Sequence, residues 1–205
     1  MKRAAVMAVC VLFATMPAMA QDRLPTIPVE KQTPEQRKAA EAFRANRKQD
    51  VFGPFVPLHR SPEVMLRAMA LGDYLRYRTV FPPKLNEFII LVTARHFTQH
   101  YEWYVHYPIA IKEGVSRDVA DAIADGRRPA GMSPDEELIH DFCTELLKND
   151  SVSDATYARA VARFGEQGTI EMVGVVGYYT FQSMVLNTAR TPVPAGAPVL
   201  KPFPK

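Results

Sequence analysis

The sequence predicts an all-α protein, and three observations carry that expectation. No stretch alternates apolar and polar residues with the two-residue period of a strand. Helix-opening signatures recur ahead of apolar-periodic runs, at Thr33-Pro34-Glu35-Gln36, Ser61-Pro62-Glu63 and Ser133-Pro134-Asp135-Glu136. Glycines stand just past the ends of two expected helices, Gly114 after residue 113 and Gly126 after residue 125.

Residues 1–20 read as a targeting leader. Lys2 and Arg3 form a positive start, 4–17 an apolar core, and Ala18-Met19-Ala20 a cleavage site. The apolar run is too short for a membrane span, so an exported protein in the periplasm or secreted is expected. Of 25 basic residues the leader takes Lys2 and Arg3, which leaves 23 against 22 acidic ones. That near balance, without a basic cluster interleaved with aromatics, argues against a nucleic-acid partner. Cys10 lies in the leader, so Cys143 stands alone and no internal disulfide is expected. It sits among Leu138, Ile139, Phe142, Leu146 and Leu147, the apolar face of its helix, which suits a core residue.

Residues 21–32 are polar and proline-interrupted, an extended arm, and Thr33 caps a charged helix running to about residue 49. The segment 51–59 is an apolar loop that folds over a pocket or an interface, with His59 as a possible lining residue. A helix over 62–78 follows, with Val64, Leu66, Met69, Leu71 and Leu75 as its apolar face. After Phe81-Pro82-Pro83 one long helix is expected over 84–113, ending at Gly114. Pro108 lies inside it and either kinks it after His106 or breaks it. Shorter helices are expected over 116–125, 133–148, 153–164 and 170–188, with Gly174 and Gly177 allowing close approach in the last. The prolines at 192, 194, 198, 202 and 204 make 191–205 an extended tail that docks on a surface or stays loose.

The long helix carries the chemistry. At about 100° per residue, Arg95, Gln99, Glu102 and His106 fall within about 60° of one another. Such a polar stripe in an apolar helix is costly unless its members pair, so it is either a site or a ladder bonded to a neighbouring helix or subunit. As a site, Glu102 and His106 are four apart and suit acid–base work, Arg95 suits a substrate carboxylate, and Gln99 suits a carbonyl or oxyanion. His96 and His100 share the i, i+4 spacing of metal ligands, but no third ligand follows at motif spacing, and no metal or other cofactor is expected. Tyr178, Tyr179 and Phe181 supply either core packing or an aromatic wall.

Residues 87–114 resemble the carboxymuconolactone decarboxylase family, which includes the alkylhydroperoxidase D-like proteins. The likeness rests on Leu85-Asn86-Glu87, Tyr101-Glu102-Trp103, His106, Ala110 and Gly114, with Gly53-Pro54 and Ser61-Pro62-Glu63 in the wider frame. It covers about residues 50–190. The resemblance implies an alkylhydroperoxidase D-like multi-helix bundle that assembles as a trimer or hexamer, a homo-oligomer with sites at or near subunit interfaces. The peroxidase branch carries a Glu and then Cys-x-x-Cys-x-x-x-His. Here the Glu falls on Glu87 and the His on His106, but the two cysteine positions hold Gln99 and Glu102. Thiol–disulfide peroxide reduction needs both thiols. The decarboxylase branch implies instead cofactor-free chemistry on a small carboxylated or lactone substrate. Glu102 and His106 would then move the proton, with Arg95 and Gln99 holding the substrate. Glu87 joins them only through a bend or another subunit, and is otherwise a structural ion-pair partner. The competing expectation is a small-molecule binding or scaffolding member without catalysis.

Overall fold

The computed structural model describes residues 22–202; the leader at 1–20, with Cys10, and the last residues of the tail lie outside the described residues. Within them the chain forms helices and no strand, as expected. These are α1 (Pro34–Arg47), α2 (Phe55–Leu58), α3 (Pro62–Tyr77), α4 (Pro83–His96), α5 (His100–Lys112), α6 (Arg117–Ala124), α7 (Pro134–Asn149) and α8 (Asp154–Ala189), with a short 3-10 turn at Val29–Lys31. The capping boxes close as their sequences dictate. Thr33 and Gln36 exchange bonds of 3.0 and 3.2 Å, and Ser133 and Glu136 bonds of 2.7 and 3.3 Å.

Helix α4 is the centre of the bundle. Every residue from Leu85 to Arg95 is buried, and α3, α5, α6, α7 and α8 all pack on it. A helix apolar nearly all round has to be enclosed in this way. Four polar residues ride inside it, Asn86, Glu87, Thr93 and Arg95; Asn86 donates to the carbonyls of Leu75 and Arg76, and Glu87 faces α5.

The single helix expected over 84–113 is corrected here: α4 stops at His96 and α5 starts at His100. Between them Thr98 takes φ 47, a left-handed conformation uncommon for a β-branched residue. What holds the turn is Gln99, whose side-chain oxygen caps α5 by accepting from Tyr101 N and Glu102 N. Its Nε2 donates to Asn187 Oδ1 on α8 at 2.9 Å, and Asn187 Nδ2 donates to Phe97 O at 3.3 Å. Asn187 thus grips both sides of the turn. Helix α5 meanwhile runs through Pro108 to Lys112. Both Pro108 and Tyr104, the residue four before it, lie on the exposed side.

Other expectations need smaller corrections. The two helices expected over 153–164 and 170–188 run on as α8, interrupted only at Gly165 with φ 71. On α3 the inward face is Met65, Ala68, Met69, Gly72 and Leu75, while Val64 and Leu71 are exposed. Gly174 does permit close approach, since a Cβ there would lie 2.9 Å from Leu75 Cδ2, whereas nothing lies within 4 Å of one at Gly177. The tightest approach is at Gly72, where a Cβ would stand 2.3 Å from the Tyr178 hydroxyl oxygen.

Arm and tail are both tied down. Arg60 donates to the carbonyls of Leu24 and Pro25, Arg23 N donates to Ala189 O at 2.8 Å, and Leu200 is buried with its N–H on His100 Nδ1. Among the described residues, no helix is long and apolar enough to cross a membrane.

Two glycine substitutions should move stability in opposite directions. Gly72→Ala should cost about 1–3 kcal/mol by forcing Tyr178 aside. Gly177→Ala should be neutral or stabilise by up to about 1 kcal/mol, because it meets open space in a helix. Urea denaturation midpoints of the two variants provide the check.

Candidate functional site

Because the chain turns back at residues 97–99, α4 and α5 lie side by side and Glu87 meets His106. His106 Nδ1 donates to Glu87 Oε2 at 2.7 Å, and its Nε2 lies 3.3 Å from Glu102 Oε2. All three side chains are buried. Burial pulls the His106 imidazole down, but hydrogen bonds to Glu102 and Glu87 and the charges of both outweigh it, so its pKa is raised. As an imidazolium it donates from both ring nitrogens at once.

Arg76, from the end of α3, reaches the same cluster with Nε 3.9 Å from Glu87 Oε1. Burial works against its charge, and the neighbouring Tyr179, Tyr77 and both carboxylates more than offset that. Two tyrosines of α8 complete the surround. Tyr179 meets the His106 ring edge-on at 5.1 Å, and Tyr178 meets Tyr179 at 5.3 Å. Burial raises the Tyr178 hydroxyl to about 12 and Tyr179 well above its ordinary value, so both remain neutral donors.

Glu102 and His106 line a cavity of about 50 Å³, together with Arg47, Arg76, Tyr178, Tyr179 and Gln182. Phe52, Pro54 and Phe55 form another part of its wall, which fulfils the expectation that segment 51–59 folds over a pocket. Gln182 Nε2 donates to the Tyr178 hydroxyl at 2.6 Å, while its Oε1 is buried with no hydrogen-bond partner among the described residues. Arg47 is anchored by Asp73 at 2.6 Å. Glu87 does not line this cavity. With Arg76 it lines a separate cleft of about 280 Å³, so Glu102, His106 and Glu87 form a chain of proton-carrying groups between two concave surfaces.

Of the sequence-predicted residues, the structure brings together Glu87, Glu102 and His106 and leaves Arg95 and Gln99 apart from them. Gln99 is turned into a helix cap, and Arg95 donates to Thr98 Oγ1 at 3.1 Å and lines a different cleft. The physical reason is the turn at 97–99, which removes the common helical face that the stripe required. It also separates His96, the last residue of α4, from His100, the first of α5, which accepts from Leu200 N. His59 is buried away from the cavity, donating to Gln36 O at 2.6 Å. Cys143 is buried outside the cavity, and burial pushes its thiol far up, which leaves it without thiolate character. Arg47, Arg76 and Gln182 had not been singled out in the sequence. A single amide in the apolar run from Val173 to Leu186 was the one local signal for Gln182.

The raised pKa of His106 links the site to stability. In the folded protein His106 titrates above its unfolded value of about 6.5. Its stabilising contribution is therefore fully present below that unfolded value and fades as pH rises through the folded one. His106→Gln should be destabilised, and the gap in melting temperature from the wild type should narrow as pH increases. A pH series of thermal melts tests this. Cys143 should react with a thiol reagent only as the protein unfolds, with the labelling rate following denaturant.

No family model matches the chain, and no curated protein matches it. Among solved structures it is similar to an uncharacterized peroxidase-related protein from Ralstonia eutropha JMP134, described as an alkylhydroperoxidase AhpD core, with a TM-score of 0.65 and 18% sequence identity over 81% of this chain and 88% of that one. At that identity the likeness speaks for architecture: the chain has an alkylhydroperoxidase D-like all-helical fold.

Proposed function

We propose that the chain is a cofactor-free acid–base catalyst acting on a small carboxylated substrate, in the manner of a carboxymuconolactone decarboxylase. The observation that carries this reading is a buried imidazole held between two carboxylates, with one carboxylate and the imidazole on a cavity that also presents two guanidinium groups. Arg47 and Arg76 bind the substrate carboxylate, a part for which Arg95 is out of reach. When the C–C bond to the departing carboxylate breaks, CO₂ leaves and its electron pair passes into an enolate. Tyr179 is a neutral donor suited to the enolate oxygen. His106 and Glu102 deliver the proton to carbon, and Glu87 holds the imidazole in place and restores its proton from the far side. A thiol peroxidase reading finds no thiol on this cavity, since Gln99 and Glu102 stand at the paired cysteine positions.

One observation favours a second reading. About 50 Å³ is far below the roughly 300–1,000 Å³ of ordinary ligand pockets, so only the reacting end of a substrate enters unless the wall at Phe52 to Phe55 moves. A binding or scaffolding protein whose buried polar cluster fixes the α4–α5 pairing would need no larger space. The wider proposal includes export, which rests on the leader read in the sequence, and a trimeric or hexameric assembly. Supporting assembly, α3 and α8 expose Val64, Leu71, Ile170, Val173, Phe181 and Met184, with an apolar groove of about 360 Å³ between the two helices.

Turnover of carboxymuconolactone and a panel of small unsaturated and β-keto acids in D₂O, followed by NMR, is the direct test. Deuterium should appear at the enolate carbon protonated after CO₂ leaves: the carbon that lost the carboxylate in a β-keto acid, and the carbon beside the ring carbonyl in carboxymuconolactone. Glu102→Gln and His106→Gln should each slow this by about 10²-fold or more, while Arg76→Leu should chiefly raise KM. Saturable binding without conversion would favour the second reading. For the assembly, Leu71→Glu combined with Phe181→Glu should reduce the light-scattering mass to that of a single chain.

A further inference from the structure

We propose that the cleft between α4, α6 and α7 is a second binding site, for a small organic carboxylate with an apolar body. This cleft has a volume of about 350 Å³, several times that of the Glu102–His106 cavity, and falls at the lower end of the range for small-molecule sites. Its polar wall is cationic: Arg95 from α4, Arg127 and Arg128 from the segment after α6, and Lys148 from α7. No acidic side chain lines it. Nearby carboxylates pair with two of these cations, Asp125 with Arg127 at 3.1 Å and Asp141 with Arg128, and Asp141 also bonds Arg159. Val92, Ile123 and Leu147 supply an apolar floor.

This is the arrangement that an amphipathic anion satisfies. Arg127 and Arg128 already share Asp125 and Asp141, but the lining itself is cationic, so a carboxylate entering the concavity can hydrogen-bond to guanidinium groups and meets no opposing carboxylate on the lining. Arg95 is the fixed element, being only 3% exposed and oriented by its bond to Thr98 Oγ1. Arg127, Arg128 and Lys148 are exposed. Two imidazoles, His96 and His140, flank the cleft. Burial lowers both, and so does Lys148, with Arg128 acting further on His140 against the opposing Asp141. Neutral imidazoles offer one donor and one acceptor each, which suits a polar rim around an aromatic or branched body. An inorganic anion would use the cations and leave the floor unmatched. The site does not depend on the catalytic reading: Arg95 lies eight residues beyond Glu87, about 12 Å along α4, and shares no lining residue between the two cavities.

The test is calorimetric titration of the full protein with naphthoate, beside the neutral isostere naphthylmethanol and inorganic phosphate. Naphthoate should bind saturably and more tightly than either, and its imidazole NMR shifts should fall on His96 and His140 while His106 stays fixed. Lys148→Glu and Arg127→Glu, both exposed and distant from the core, should each weaken naphthoate by about tenfold while retaining the wild-type circular dichroism. Absence of saturable binding, equal affinity for naphthylmethanol, an affinity unchanged in both variants, or shifts confined to His106 would each overturn the proposal.

Discussion

The structure depends on a buried imidazole bridging carboxylates from two helices. Glu87, Glu102 and His106 are all buried, and buried ionisable groups are tolerable only when each bonds another. That requirement fixes the register of α4 against α5, because a slip of one residue on either helix would strand a charge in the core. It also dictates what surrounds the cluster. Arg76 must approach from α3, the tyrosines of α8 must close the other side, and Gly72 must lack a side chain so that Tyr178 fits. Packing of the bundle and chemistry of the cluster are therefore one constraint.

Local signals in the sequence were sufficient for much of the fold. Both capping boxes, the enclosure of Cys143 and the all-helical architecture follow from residues within a few positions of one another. The polar identity of Glu87, Glu102 and His106 was equally visible. What could not be read was the turn at Phe97–Gln99. Nothing in Phe97-Thr98-Gln99 signals a break by propensity, and Thr98 in a left-handed conformation runs against it. The turn is held by Asn187, 88 residues beyond Gln99. Helical periodicity assumes that neighbours in sequence decide the backbone, and here a distant side chain does. The same turn sets Arg95 apart from the Glu102–His106 cavity, among residues of α6 and α7, while the α3–α4 corner brings Arg76 to the cluster.

Helix α4 consequently presents different chemistry at its two ends. Near its start, carboxylates and an imidazole make a tight, charge-balanced interior. Near its end, cations ring an open cleft. Beyond that end, Gln99 builds the turn at the junction of α4 and α5, and Glu102, inside α5, extends the chain of titratable groups.

The grip of Asn187 on the turn also sets an order of events during synthesis. A chain made from its N-terminus has released α4 and α5 long before residue 187 leaves the ribosome, so the hydrogen bonds that pin Gln99 and Phe97 are missing through most of translation. Until then nothing from α8 opposes helix continuing through residues 97–99, and a straight helix keeps Glu87 away from His106. The charged cluster therefore closes only once α8 has docked, and the C-terminal helix acts as the clasp that commits the bundle to its final form.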